Sequence, residues 1–151
     1  MRIFEALNNT LKEAMLARDQ KTLDVVRAIK ARLAEYQVTN GLDRSKIPDD
    51  IHMIKVLRAY KKSLERGISQ LKKGGEAARP LINSYKEEIE FCELYLPDAA
   101  AQKEAIVKVI DDAMKSPDLR NVPVLIKHIM TSNPHFDGKI VKDIVSEKLR
   151  R

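Results

Sequence analysis

The 151-residue sequence holds one cysteine, no tryptophan, five glycines and six prolines. A single cysteine excludes an internal disulfide framework and any multi-cysteine zinc site. Cys92 falls on an apolar helical stripe, where a thiol serves as a small buried hydrophobe rather than a nucleophile. Glycine and proline are scarce, aromatic residues make up 5%, and β-branched residues never alternate with polar ones over a long stretch, which leaves an all-α fold. No stretch approaches the roughly 18 consecutive apolar residues of a membrane span. The N-terminal segment carries Glu5 and Glu13 instead of a signal-peptide apolar core, so a cytoplasmic protein away from membranes is expected. Repeats and low-complexity tracts are also missing.

Signs of catalysis are equally sparse. His52, His128 and His135 lie far apart, without the two- or four-residue spacing of metal ligands. No serine sits in a nucleophile elbow, and Gly74-Gly75 is not followed by the Gly-Lys-Ser/Thr of a phosphate loop. Glu87, Glu88, Glu90 and Glu93 suit a solvated carboxylate face better than a general acid-base pair. No cofactor, metal or catalytic residue is expected.

What the chain does contain is 44% hydrophobic and 33% charged residues, with helical periodicity throughout. Ile3, Leu7, Leu11 and Ala14 define a first amphipathic helix, and Val25, Val26, Ile29, Leu33 and Tyr36 a second, joined through the polar segment 17–21. Asn40-Gly41 suits a left-handed cap to the second helix, and Ile47-Pro48-Asp49-Asp50 the start of a third. Met53, Leu57, Tyr60, Leu64, Ile68 and Leu71 form the stripe of that third helix, which is expected to end at Gly74-Gly75. A fourth, from about Glu76 to Leu96, carries Ala78, Ile82, Tyr85, Ile89, Cys92 and Leu96 on one stripe. The two read as a long α-hairpin with Lys72, Lys73 and Arg79 near its tip.

Pro97 stops the fourth helix, because proline lacks an amide hydrogen and disfavours helix in the residue before it. Three shorter helices follow. One is marked by Ile106, Val109, Ile110, Ala113 and Met114, one opens at Pro123, and one is capped by Asp137 and holds Ile140, Val141, Ile144, Val145 and Leu149. The expected organisation is an N-terminal helical domain over residues 1–96 and a three-helix C-terminal tail domain over 97–151.

Charge supplies the functional signal. The formal net charge is +6, and Lys55, Arg58, Lys61, Lys62, Arg66, Lys72, Lys73 and Arg79 face only Glu65 and Glu76 over the same stretch. Such a segment suits an acidic partner, nucleic acid above all, although it equally suits a solvated helix face. Too few aromatics are present for base stacking, so contact would be with phosphates and the shape of a structured RNA. Asp137-Gly138-Lys139 at a helix start could present amide hydrogens, close backbone approach and a positive charge to an anion. A plain helix start explains it as well. These eleven residues are the candidate RNA contacts.

Four segments carry a family resemblance: Asp24-Val25-Val26-Arg27-Ala28-Ile29-Lys30-Ala31 after an N-terminal helix, Lys61-Lys62-Ser63-Leu64 in the hairpin, Glu93-Leu94-Tyr95-Leu96-Pro97 at a helix end, and Asp137-Gly138-Lys139-Ile140-Val141 opening the last helix. Together they resemble the GatB/YqeY family, YqeY-like proteins related to the tail of the tRNA-dependent amidotransferase B subunit. Two departures from the family pattern are Asp98-Ala99-Ala100-Ala101 after Pro97 and Val122-Pro123-Val124 where a glycine is usual. The resemblance implies a helical domain with a three-helix tail and a link to tRNA. It also implies the designation carbon-nitrogen ligase with glutamine as amide donor. Nothing in the chain provides an ATP site or an amidase nucleophile, so resemblance to a tail implies binding rather than catalysis by this chain alone. Two functions are therefore expected as alternatives. One is a module for tRNA or another structured RNA; the other is an accessory subunit of an amidotransferase or related ligase, docking through its helical faces and the acidic stretch from Glu87 to Asp98.

Overall fold

A computed structural model describes residues 2–150, and over them all regular secondary structure is helical. The elements are α1 (Ile3–Ala17), α2 (Gln20–Thr39), α3 (Asp50–Leu71), a 3₁₀ segment (Lys72–Ala78), α4 (Arg79–Tyr95), α5 (Ala99–Ala113), a short 3₁₀ turn (Pro117–Leu119), α6 (Val122–Ser132) and α7 (Gly138–Leu149). Backbone contacts divide the chain into two compact units, Met1–Leu96 and Pro97–Arg151.

In the first unit, the apolar stripes of α1 to α4 converge on Leu7, Val26, Ile29, Leu33, Met53, Leu57, Tyr60, Leu64 and Cys92. Burying one such leucine or isoleucine contributes about 1.5–3 kcal/mol, which is what holds four amphipathic helices together. The joint between α1 and α2 is tighter than expected. Arg18 takes the left-handed conformation (φ 54°), its N–H donates to Met15 O, and the Asp19 N–H donates to Ala14 O at 2.9 Å. This is a Schellman cap with arginine where glycine is usual. Asp19 then caps α2 by accepting from Thr22 N at 3.2 Å. At the other end of α2 the expected glycine does the work: Gly41 has φ 62°, with Leu42 N–H on Gln37 O at 2.9 Å.

The hairpin is built by α3 and α4, and its turn corrects the expected helix ends. α3 stops at Leu71, three residues before the glycine pair, and a 3₁₀ segment runs on to Ala78, broken at Gly75 (φ 71°, ψ −151°). α4 starts at Arg79, not Glu76, because Pro80 has no N–H to give an interior turn and fits only the first one. Toward the turn end of the hairpin Gly67 lets the helices close up; a Cβ there would meet the Tyr85 ring at 2.7 Å.

The second unit has its own core of Ile106, Ile110, Leu125, Ile129, Phe136, Val141, Ile144 and Val145. All three of its helices begin with a side-chain cap: Asp98 on Ala100 N, Asn121 on Val124 N and Asp137 on Lys139 N. Pro123 sits in the first turn of α6.

Candidate nucleic-acid interface

Seven buried residues of α3 (Met53, Ile54, Val56, Leu57, Tyr60, Leu64 and Ile68) face the core. At 3.6 residues per turn, positions 55, 62 and 66 fall within an arc of about 40° on the opposite side of the helix. Lys55, Lys62 and Arg66 are accordingly exposed. Their Cα atoms are spaced by about 10 Å and then about 6 Å along the axis, at 1.5 Å per residue. Arg58 flanks this row and is half-buried. Lys72 and Lys73 extend the positive charge into the exposed 3₁₀ turn. None of Lys55, Lys62, Arg66, Lys72 and Lys73 has a carboxylate within ion-pair distance among the described residues.

Two of the eight basic residues behave differently. Lys61 lies one residue, or about 100° around the helix, before Lys62, and is turned toward α4. Its Nζ stands 3.1 Å from Glu93 Oε1 with only 30% of the side chain accessible. Arg79 lies 3.6 Å from Glu76, but both side chains are mostly exposed (71% and 86%), so this pair holds the guanidinium weakly.

Part of the acidic stretch of α4 is already engaged within the first unit. Glu88 accepts a hydrogen bond from the Tyr60 hydroxyl at 2.8 Å, and Glu87 pairs with Lys21 at 3.4 Å across to α2. Arg32 lies over the Tyr60 ring at 4.9 Å, a third member that the sequence did not announce, since only the fold brings α2 beside this turn of α3. Burial first, and then the Glu88 hydrogen bond and charge, push the Tyr60 hydroxyl well above the usual tyrosine range. Cys92 is fully buried, and burial together with Glu88 pushes its thiol up to about 12, which leaves no thiolate for nucleophilic work.

The α7 start lies in the second unit. Asp137 Oδ1 already accepts from Lys139 N at 3.0 Å, so one amide that an anion would use is occupied. Gly138 does not have a positive φ, and a Cβ there would stand an ordinary 4.0 Å from Met130 Cε. Neither the backbone conformation nor packing within the unit requires glycine at this position. Gly138 and Lys139 are exposed and Asp137 is half-buried.

Among the described residues, no group of three or more histidine, cysteine, aspartate or glutamate side chains is arranged to hold a metal ion. His52 is engaged by its Nδ1 with the Tyr36 hydroxyl at 2.9 Å. No described helix is long and apolar enough to cross a membrane.

Comparison with curated proteins gives no match. The model of the family described as YqeY-like protein, in contrast, matches residues 4–151, and the chain therefore belongs to the YqeY-like family.

Proposed function

We propose that this YqeY-like protein is a cytoplasmic binding module for tRNA or another structured RNA, working by grip rather than by chemistry. The observation that carries this reading is the exposed row Lys55, Lys62 and Arg66 along one face of α3, continued by Lys72 and Lys73, with no carboxylate paired to any of them among the described residues. Exposed cations in a row along a helix suit backbone phosphates, and the scarcity of aromatics suits recognition of shape over base stacking. Asp137-Gly138-Lys139 would serve as a secondary phosphate contact. The two units would act as separate domains.

The test is a fluorescence-anisotropy titration with total tRNA and with duplex DNA of matched length at several salt concentrations. The reading expects tighter binding to tRNA, with a log-log salt slope near 0.7 to 0.9 per phosphate contact, about three to five contacts in all. Equal, weak binding of both nucleic acids would reduce the α3 face to a solvated surface.

A second reading is favoured by Leu94, which is 78% exposed on α4 beside Glu90 and Glu93. An apolar side chain standing out of an acidic face suits a protein contact, as an accessory subunit of an amidotransferase or other carbon-nitrogen ligase would need. A stable complex with such a subunit, unaffected by tRNA and lost in Leu94→Lys, would support it.

A further inference from the structure

The last turn of α2 carries Gln37, a polar side chain only 7% exposed. Its carboxamide has no hydrogen-bond partner among the described residues, and beyond the helix ladder its backbone carbonyl accepts from Leu42 N–H at 2.9 Å. The only fully enclosed, unpartnered side-chain polar atom among them is Gln102 Nε2, so both amide atoms of Gln37 keep some accessible surface. Gln37 helps to line a cleft of about 480 Å³ beside the start of α3.

The rest of the cleft has two chemistries. Leu42, Ile47 and Pro48 form an apolar wall. Around it stand Arg2 and Lys46, with Asp43 and Asp49 as the opposing charges. Both carboxylates are partly committed, as is Arg2: Asp43 Oδ1 accepts from Ser45 N at 2.9 Å and Ser45 Oγ at 2.6 Å, Asp49 lies 3.9 Å from Arg2, and Arg2 also donates to Ile47 O at 3.2 Å. Lys46 has no ion-pair partner among the described residues. Asp49 is the N-cap of the 22-residue helix α3 yet gives its amides no side-chain acceptor, and the neighbouring first-turn carboxylate, Asp50, accepts from Ile3 N at 2.8 Å, so the amides at the head of that helix border the cleft without a side-chain cap.

We infer that this cleft binds a single unpaired nucleotide. The base lies on Leu42, Ile47 and Pro48; the Gln37 carboxamide, with an acceptor and two donors, pairs with the base edge; Lys46 and Arg2 hold the phosphate at the head of α3. The volume falls in the usual range for small-ligand sites. A bare anion would leave the apolar wall and the buried amide unused, and a purely apolar ligand would leave Gln37 unpaired. None of these residues belongs to the α3 cation row, so this inference stands independently of that reading. A free mononucleotide and an unpaired nucleotide of an RNA strand share this chemistry.

The experiment titrates the full-length protein with AMP, GMP, CMP and UMP, inorganic phosphate and a single-stranded tetranucleotide, by calorimetry and by amide chemical shifts. Wild type is compared with Gln37→Leu and Lys46→Ala, each first checked for an unchanged thermal midpoint. Expected is saturable binding of at least one monophosphate, with shifts centred on residues 37–52, weakened about tenfold or more by either substitution. Tighter binding of the tetranucleotide assigns the site to a strand; equal or weaker binding assigns it to a free nucleotide. Inorganic phosphate binding as well as the nucleotides, shifts centred elsewhere, or no saturation in the millimolar range overturns the inference. Should a variant unfold, the shift map of the wild-type protein decides alone.

Discussion

The Tyr60 hydroxyl on α3 donates to the Glu88 carboxylate on α4 at 2.8 Å, and the ring that carries it is nearly buried beneath Arg32. A hydrogen bond to a charged acceptor contributes about 1.5–3 kcal/mol. Tyr60→Phe should therefore lower stability by about 1.5 kcal/mol or more, because Glu88 loses its donor. Urea unfolding at neutral pH measures this; an unchanged midpoint would mean that water replaces the hydroxyl at no cost.

The same pair sets the response to alkali. Tyr60 and Cys92 both titrate higher in the folded chain than in the unfolded one, Cys92 moving from 9.0 to about 12. Above pH 9 the unfolded chain then holds fewer protons than the folded one, so stability is full below that point and falls as pH rises toward 12. Cys92→Ala should flatten this decline, and Tyr60→Phe should flatten its upper part, when midpoints are followed from pH 8 upward. Parallel curves for all three proteins would rule the account out.

Gly67 has Tyr85 where its own side chain would be. Alanine would gain about 1 kcal/mol in helix propensity, yet overpacking costs about 1–3 kcal/mol. Gly67→Ala should be neutral to destabilising, and the same change beside Tyr85→Leu should become stabilising. Denaturant midpoints for the two single changes and the double change give the coupling directly.

Within the basic segment the residues should separate by role. If the α3 row grips phosphates as proposed, Lys62→Glu with Arg66→Glu should lower tRNA affinity by tenfold or more and reduce the salt slope by about two contacts' worth. Lys61→Met should leave the slope unchanged and cost up to about 1 kcal/mol of stability through loss of the Glu93 pair. Equal effects of all three on binding would show that net charge alone matters.

Each unit owns a closed set of core residues. Residues 1–96 produced alone should retain helical circular dichroism and a cooperative thermal transition. The tail, with only 55 residues, should be the weaker of the two.

Periodicity made most of the fold legible. The stripes at Met53, Leu57, Tyr60 and Leu64, and at Ile140, Val141, Ile144 and Val145, are local patterns, and a helix needs nothing else to declare its inward face. At the hairpin turn the glycine pair Gly74-Gly75 signals a break, but Pro80 is the residue that sets the start of α4. Arg18 in a left-handed cap had no residue-type signal at all. Charge was legible as a run but not as a surface: linear spacing counts Lys61 with Lys62, while a helix parts them by about 100°. Gln37 was invisible for another reason. A polar residue in a polar last turn becomes notable only when tertiary packing buries it.

Cys92 is the only thiol in the chain, and it lies closed off between the hairpin and the other helices of its unit. A slow alkylating reagent can reach it only when α4 lifts away from that core. The molecule thus contains its own stopwatch: the rate of labelling at one sulfur counts how often the hairpin breathes, and its slowing on addition of a partner would report docking without any attached probe.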